Sequence, residues 1–359
     1  MGGSAPLTLV HNRPRVELDA DGVAIAALVD TAGAALLLSQ DAADEMDLAV
    51  IEVVEERGDT FTVLEPPSLS IGGYELDTDG LPAYGFDDTR VLGLGAHGLD
   101  IVLPATLLRR HAVELDLAGG TAWFGDAGTL VGAGLRVAAQ VQTDTGLVTI
   151  DAEVLGGRVS LLLDTGVSCS LAADRVVRAW IDDRPDLPTS AAAVGPANMA
   201  GLRVEARTPM VRVPAVSWGD FTVPGVAFVW RGDADVAPFG GSLGGNVLRW
   251  FRLGLDLRRG DVWFEQRAPA LPAGDADQVG ITLVLDDDGE WEVGAAVVGL
   301  DAVQVGDRLV AVDGSPVSGV ALGDVLAALS GEIGQRHHLV LRRGPTELVE
   351  ADAPVVRVL

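Results

Sequence analysis

Leu161-Leu162-Leu163-Asp164-Thr165-Gly166-Val167-Ser168-Cys169-Ser170 is an apolar run that ends in an acid. Three leucines favour a buried strand, and Asp-Thr-Gly turns the chain, with glycine free to take the tight conformation. A carboxylate at the end of a buried strand is open to tuning by desolvation and by its neighbours. One such neighbour would be a second carboxylate facing it. Two like charges at close range cannot both ionise cheaply, and so they share a proton. Ala27-Leu28-Val29-Asp30-Thr31-Ala32-Gly33-Ala34 offers that second acid, also after an apolar run.

The two acids belong to a repeat. Leu115-Asp116-Leu117-Ala118-Gly119-Gly120-Thr121-Ala122-Trp123-Phe124 reads like Leu255-Asp256-Leu257-Arg258-Arg259-Gly260-Asp261-Val262-Trp263-Phe264, 140 positions later. Each is a strand, a glycine turn and a second strand. Upstream, Val91-Leu92-Gly93-Leu94-Gly95 matches Ser242-Leu243-Gly244-Gly245-Asn246, and each precedes a short helical piece, 104–110 and 247–251. Asp30 and Asp164 lie 134 positions apart, close to the same offset. Three features recurring in order indicate a duplicated β unit.

Each copy opens with two strands, 15–19 and 23–29 around Asp21-Gly22, then 148–154 and 158–163 around Gly156-Gly157. Helical patterns follow each acid at 41–48 and 172–181, and residues 51–63 and 199–213 have room for hairpins folding over the site. Residues 128–134 read as a hinge and 267–274 as a linker. Beyond the linker, short strands at 280–285, 291–298, 308–312 and 336–342 accompany one amphipathic helix at 320–329. The expected class is mainly β, in three units at 1–133, 134–267 and 275–353.

Composition narrows the chemistry. A net charge of −27 argues against nucleic acid, since phosphate binding needs a basic surface. The chain contains no lysine, which excludes a Walker-type phosphate loop and Schiff-base chemistry. With one cysteine, Cys169, there is neither an internal disulfide nor a cysteine metal cluster. The five histidines show no metal-ligand spacing, and neither a metal nor another cofactor is expected. Residues 1–6 lack the basic and apolar regions of a leader, and no apolar run nears the roughly 20 residues of a membrane span. The expected compartment is the cytoplasm.

On these residues, 1–267 resemble the retropepsin-like and pepsin-like aspartic peptidases, in the tandem form where one chain supplies both halves. The resemblance rests on Asp164-Thr165-Gly166 after its strand, on Leu92-Gly93 and Leu243-Gly244 as apolar-Gly segments, and on the duplication. It implies two β lobes flanking a cleft, Asp30 and Asp164 as catalytic pair, and a polypeptide substrate. It also implies that Thr31 and Thr165 brace the two turns, with Gly166 and Ser168 in support. Asp144-Thr145-Gly146 spells the same tripeptide, but polar Gln142-Thr143 precedes it, so it reads as an exposed turn.

Copy one departs from the family pattern at Ala32, where a glycine is usual, and at Ala34, which lacks the hydroxyl of Ser168. The alternative is therefore an inactive peptidase fold that binds peptide or protein. Cys169 reads as a small apolar filler. Residues 275–353 resemble a PDZ domain through Val279-Gly280-Ile281-Thr282 and Val305-Gly306-Asp307-Arg308-Leu309-Val310-Ala311-Val312-Asp313-Gly314. That resemblance implies capture of a peptide C-terminus as an added strand, with residues 279–282 as the carboxylate loop.

Overall fold

The computed structural model describes residues 2–56, 59–86, 99–130, 132–190, 209–233, 238–271, 278–286, 288–296, 300–320 and 322–356. It is mainly β, with several sheets and only short helices. The turn at 57–58, the 91–95 motif and residues 199–208 of the second expected hairpin lie outside the described residues.

Both copies build the same unit. Arg13–Ala20 pairs antiparallel with Val23–Val29, which runs parallel to Ile101–Leu103, itself antiparallel to Leu36–Ser39. In the second copy Val148–Val154 pairs with Gly157–Leu163, which runs parallel to Gly241–Leu243, itself antiparallel to Ser170–Ala173. In each case a late strand slots between two earlier ones, and the backbone N–H of the acid donates to the end of that inserted strand. Asp30 N donates to Leu103 O at 2.9 Å and Asp164 N to Leu243 O at 3.0 Å. The acids therefore leave equivalent points of equivalent sheets.

The copies join through one continuous run of strands, ordered Leu135–Arg136, Asp261–Gln266, Phe251–Asp256, His111–Asp116, Thr121–Asp126 and Gly2–Val10. At its centre His111–Asp116 pairs with Phe251–Asp256, and Glu114 faces Gly254, its own counterpart in the repeat. Ala112 faces Asp256 while Asp116 faces Arg252, so the pairing is reciprocal about that point. One large apolar core runs through both copies, from Leu7 to Phe264, beside two smaller clusters.

Residues 278–356 form a separate sheet with its own core, including Val279, Trp291, Leu309 and Leu341. Ile281–Leu285 is its edge strand, bonded on one side to Trp291–Ala296. Leu322–Ala328 is the described helix of this unit.

Several element boundaries move from their sequence expectation. The 172–181 helix is instead Asp174–Asp183, because Ala172 and Ala173 are fully buried in the strand Ser170–Ala173. The 247–251 helix becomes Gly245–Leu248, and buried Phe251 opens a strand where it packs edge-on against Phe221 and Phe264. Met210–Trp218 pairs antiparallel with Phe221–Arg231 and also with Thr189–Ser190. The strand Gly2–Val10 was not foreseen in the sequence. Among the described residues no helix is long and apolar enough to cross a membrane.

Candidate active site

Thr31 and Thr165 bind the two acid-bearing turns to each other. The Thr31 N–H donates to Thr165 Oγ1 at 3.1 Å, and the Thr165 N–H donates to Thr31 Oγ1 at 3.0 Å. Each hydroxyl then donates across the interface, Thr31 to Leu163 O at 2.7 Å and Thr165 to Val29 O at 2.6 Å. All four bonds are buried and reciprocal, so each turn completes the other.

That lock brings Asp30 and Asp164 to one cavity of about 420 Å³, with Ala34, Leu37, Phe61, Tyr84 and Val167 among its apolar lining. Phe61 belongs to the expected first hairpin, Val50–Glu56 with Asp59–Leu64, and meets Tyr84 edge-on at 5.6 Å. Asp164 is 1% exposed and Asp30 9%. A Cβ on Gly166 would sit 2.4 Å from Asp30 Cγ and 2.5 Å from both carboxylate oxygens. No side chain fits there, so copy two's glycine is a platform for copy one's acid.

Each carboxylate also caps its own turn. The Ala32 N–H donates to Asp30 Oδ1 at 2.8 Å, and the Gly166 N–H to Asp164 Oδ1 at 3.1 Å. The Ala32 substitution leaves that bond intact. The family resemblance implies that Ser168 supports Asp164. Its hydroxyl is buried and makes no hydrogen bond among the described residues, while its carbonyl accepts from Asn12 Nδ2 at 3.3 Å. The missing hydroxyl at Ala34 therefore removes nothing that copy two has at Asp164.

Electrostatics separates the two acids. Burial pushes Asp164 well above the ordinary carboxylate value, the Asp30 charge pushes it further, and Ser242 with the amides of Gly166 and Val167 draws it back. Burial raises Asp30 as well, but the amides of Ala32 and Gly33, the Arg13 guanidinium and the Gly166 amide oppose the rise. Both acids are thus raised, Asp164 well above the ordinary carboxylate value, as expected of two like charges that share a proton.

The two hairpins below the site are clasped crosswise. Arg249 Nη1 of copy two donates to Asn12 Oδ1 of copy one at 3.0 Å. Arg109 Nη1 of copy one donates to the Thr143 carbonyl of copy two. Backbones touch at both places. A Cβ on Gly245 would lie 2.1 Å from the Asn12 carbonyl oxygen, and one on Gly146 2.5 Å from that of Ala105.

Asp144 lies in the exposed turn between Ala139–Val141 and Val148–Val154. Cys169 holds its thiol proton, since burial pushes its pKa up to about 12, which fits a filler and not a nucleophile. Among the described residues no group of three His, Cys, Asp or Glu side chains could hold a metal. In the C-terminal unit the Val279 N–H is already committed to Leu329 O at 2.9 Å. No protein-family model matches this chain, and no curated protein matches it either.

Two outcomes follow from the lock and the burial. Thr31→Val should cost about 1–3 kcal/mol in urea unfolding, because it strands the Thr165 N–H and the Leu163 carbonyl in a dry interface. Adding Thr165→Val should cost less than a second equal amount, since the bonds form one network. The pH dependence has a definite sign. A carboxyl raised on folding holds its proton more tightly when folded, so its protonated form favours the native state. That advantage is lost as pH climbs past 3.8, where the unfolded carboxyl ionises. Asp164→Asn should therefore match the unmodified chain in melting temperature at acid pH and exceed it increasingly toward neutrality.

Proposed function

We propose that residues 1–267 form an aspartic-type peptidase in which Asp30 and Asp164 activate water for peptide-bond hydrolysis. The observation that carries the reading is the reciprocal threonine lock, which holds two buried carboxylates from equivalent positions of a duplicated unit against one cavity. In this reading the two β units are lobes, and the substrate lies between them beneath Phe61 and Tyr84.

The chemistry needs one charged and one protonated acid. The ionised carboxylate takes a proton from water as its oxygen attacks the peptide carbonyl carbon. The protonated carboxyl gives its proton to the carbonyl oxygen, forming a neutral tetrahedral diol. On collapse the first acid returns its proton to the departing nitrogen, the second recovers one from a diol hydroxyl, and the C–N bond breaks. Both acids end as they began.

The alternative, an inactive fold that only binds, rested on Ala32 and Ala34. Its argument weakens because Asp30 keeps the Ala32 amide and because Ser168 gives Asp164 no hydroxyl contact that Ala34 lacks. For residues 278–356 we propose a PDZ-like role, with an incoming strand adding along the open side of Ile281–Leu285. The carboxylate loop would then use amides after Val279, whose own N–H is taken.

Cleavage of an unstructured protein such as casein, followed from about pH 3 to about pH 8, tests the reading. The unmodified chain should cut, and Asp30→Asn or Asp164→Asn should each lower the rate by at least about 100-fold. Absence of cleavage by a chain shown to be folded throughout that range would contradict it and favour the binding role. Cleavage untouched by both substitutions would contradict it equally.

A further inference from the structure

Arg13 is a buried cation without an obvious structural task. It is 3% exposed, and its Nε and Nη2 atoms make no hydrogen bond among the described residues. A guanidinium in a dry setting costs stability unless a charge answers it. Burial brings its pKa down to about 10, and the charge that works against this is Asp30.

Strand register accounts for the meeting. In the first copy Arg15 lies opposite Leu28 on paired antiparallel strands. Carrying that register two residues further sets Arg13 opposite Asp30. In the second copy Thr149 lies opposite Leu162, and the same extension sets Leu147 opposite Asp164. The duplicated unit therefore presents a cation to one acid and an apolar side chain to the other.

The remaining groups do not cancel this difference. His11 adjoins Arg13 and is kept neutral, since burial first and then the charges of Arg13 and Arg249 lower it to about 3. Arg249 is engaged by Asn12 at 3.0 Å and lies over the Trp250 ring at 4.7 Å. Facing Asp30 are Arg13, the Asp164 carboxyl and the amides of Ala32, Gly33 and Gly166. Facing Asp164 are Asp30, Ser242 and the amides of Gly166 and Val167, with no cation among them.

We propose that Arg13 is a positioning residue that fixes the polarity of the pair, so that Asp30 carries the charge and Asp164 the proton. The inference deepens the peptidase reading. Asp30 becomes the group that takes the proton from water, and Asp164 the group that protonates the substrate carbonyl. A chain with symmetric turns would have to break that tie on binding substrate. Here the break is built into Arg13–Ala20, the strand paired with the one that leads to the first acid.

Carboxyl-carbon NMR titration of the full chain, with labelled aspartate, tests this without any need for cleavage. In Asp164→Asn the lone Asp30 should titrate at lower pH than the lone Asp164 does in Asp30→Asn. Adding Arg13→Met to Asp164→Asn should move the Asp30 midpoint upward, and Arg13→Lys should return it toward its starting value. The same Arg13→Met change in Asp30→Asn should move Asp164 less. Lone Asp164 titrating below lone Asp30 would overturn the proposal, as would an Asp30 midpoint indifferent to Arg13→Met in a folded chain. The first comparison keeps Arg13 unchanged, so it stands even if the Arg13 variants do not fold. If the predicted order holds while casein is not cut, the polarity survives and the peptidase reading falls.

Discussion

Two acids buried side by side repel each other and resent the loss of water, so the pair exists only where something else holds it. Here that restraint is the exchange of backbone and hydroxyl hydrogen bonds between Thr31 and Thr165. Each bond is worth about 1 kcal/mol net, yet leaving any one unmade in this dry interface costs more than making it gains. Neither turn can relax away from its partner without exposing that cost.

The rest of the fold serves the same end. A continuous sheet crosses from one copy to the other and reads symmetrically about Glu114 and Gly254, so the acids approach from mirrored strand ends. Arg249 and Arg109 then reach across to the opposite hairpin and stop the units from sliding. Symmetry delivers two equivalent carboxylates, and the exceptions to symmetry make them unequal. Arg13 against Leu147 is the exception that favours charge on Asp30, while Ser242 beside Asp164 draws that acid down and works against the difference.

Much of this is legible in the sequence. The Leu-Asp-Leu hairpins repeat because both copies contribute the same two strands to the shared sheet, and that constraint keeps their residues alike. Asp30 and Asp164 stand out as the ends of apolar runs, whereas the bracing role of Thr31 and Thr165 comes only from the family resemblance. Other features were hidden for physical reasons. Gly2–Val10 begins Gly-Gly-Ser-Ala-Pro, which has weak strand propensity, and its strand depends on pairing with Thr121–Asp126. Ala172 and Ala173 favour helix locally but are drawn into a buried strand. The direction of the Ser168 hydroxyl was beyond any motif, because it depends on what surrounds it. Arg13 is different, since counting outward from the Asp21-Gly22 turn would have set it against Asp30.

The most direct test is a crystal structure of the full chain with a peptide that carries a secondary alcohol in place of the scissile carbonyl. The account predicts that hydroxyl within about 3 Å of both the Asp30 and Asp164 carboxylates, beneath Phe61 and Tyr84. A hydroxyl bound by only one of the acids, or a peptide seated solely along Ile281–Leu285, would contradict it.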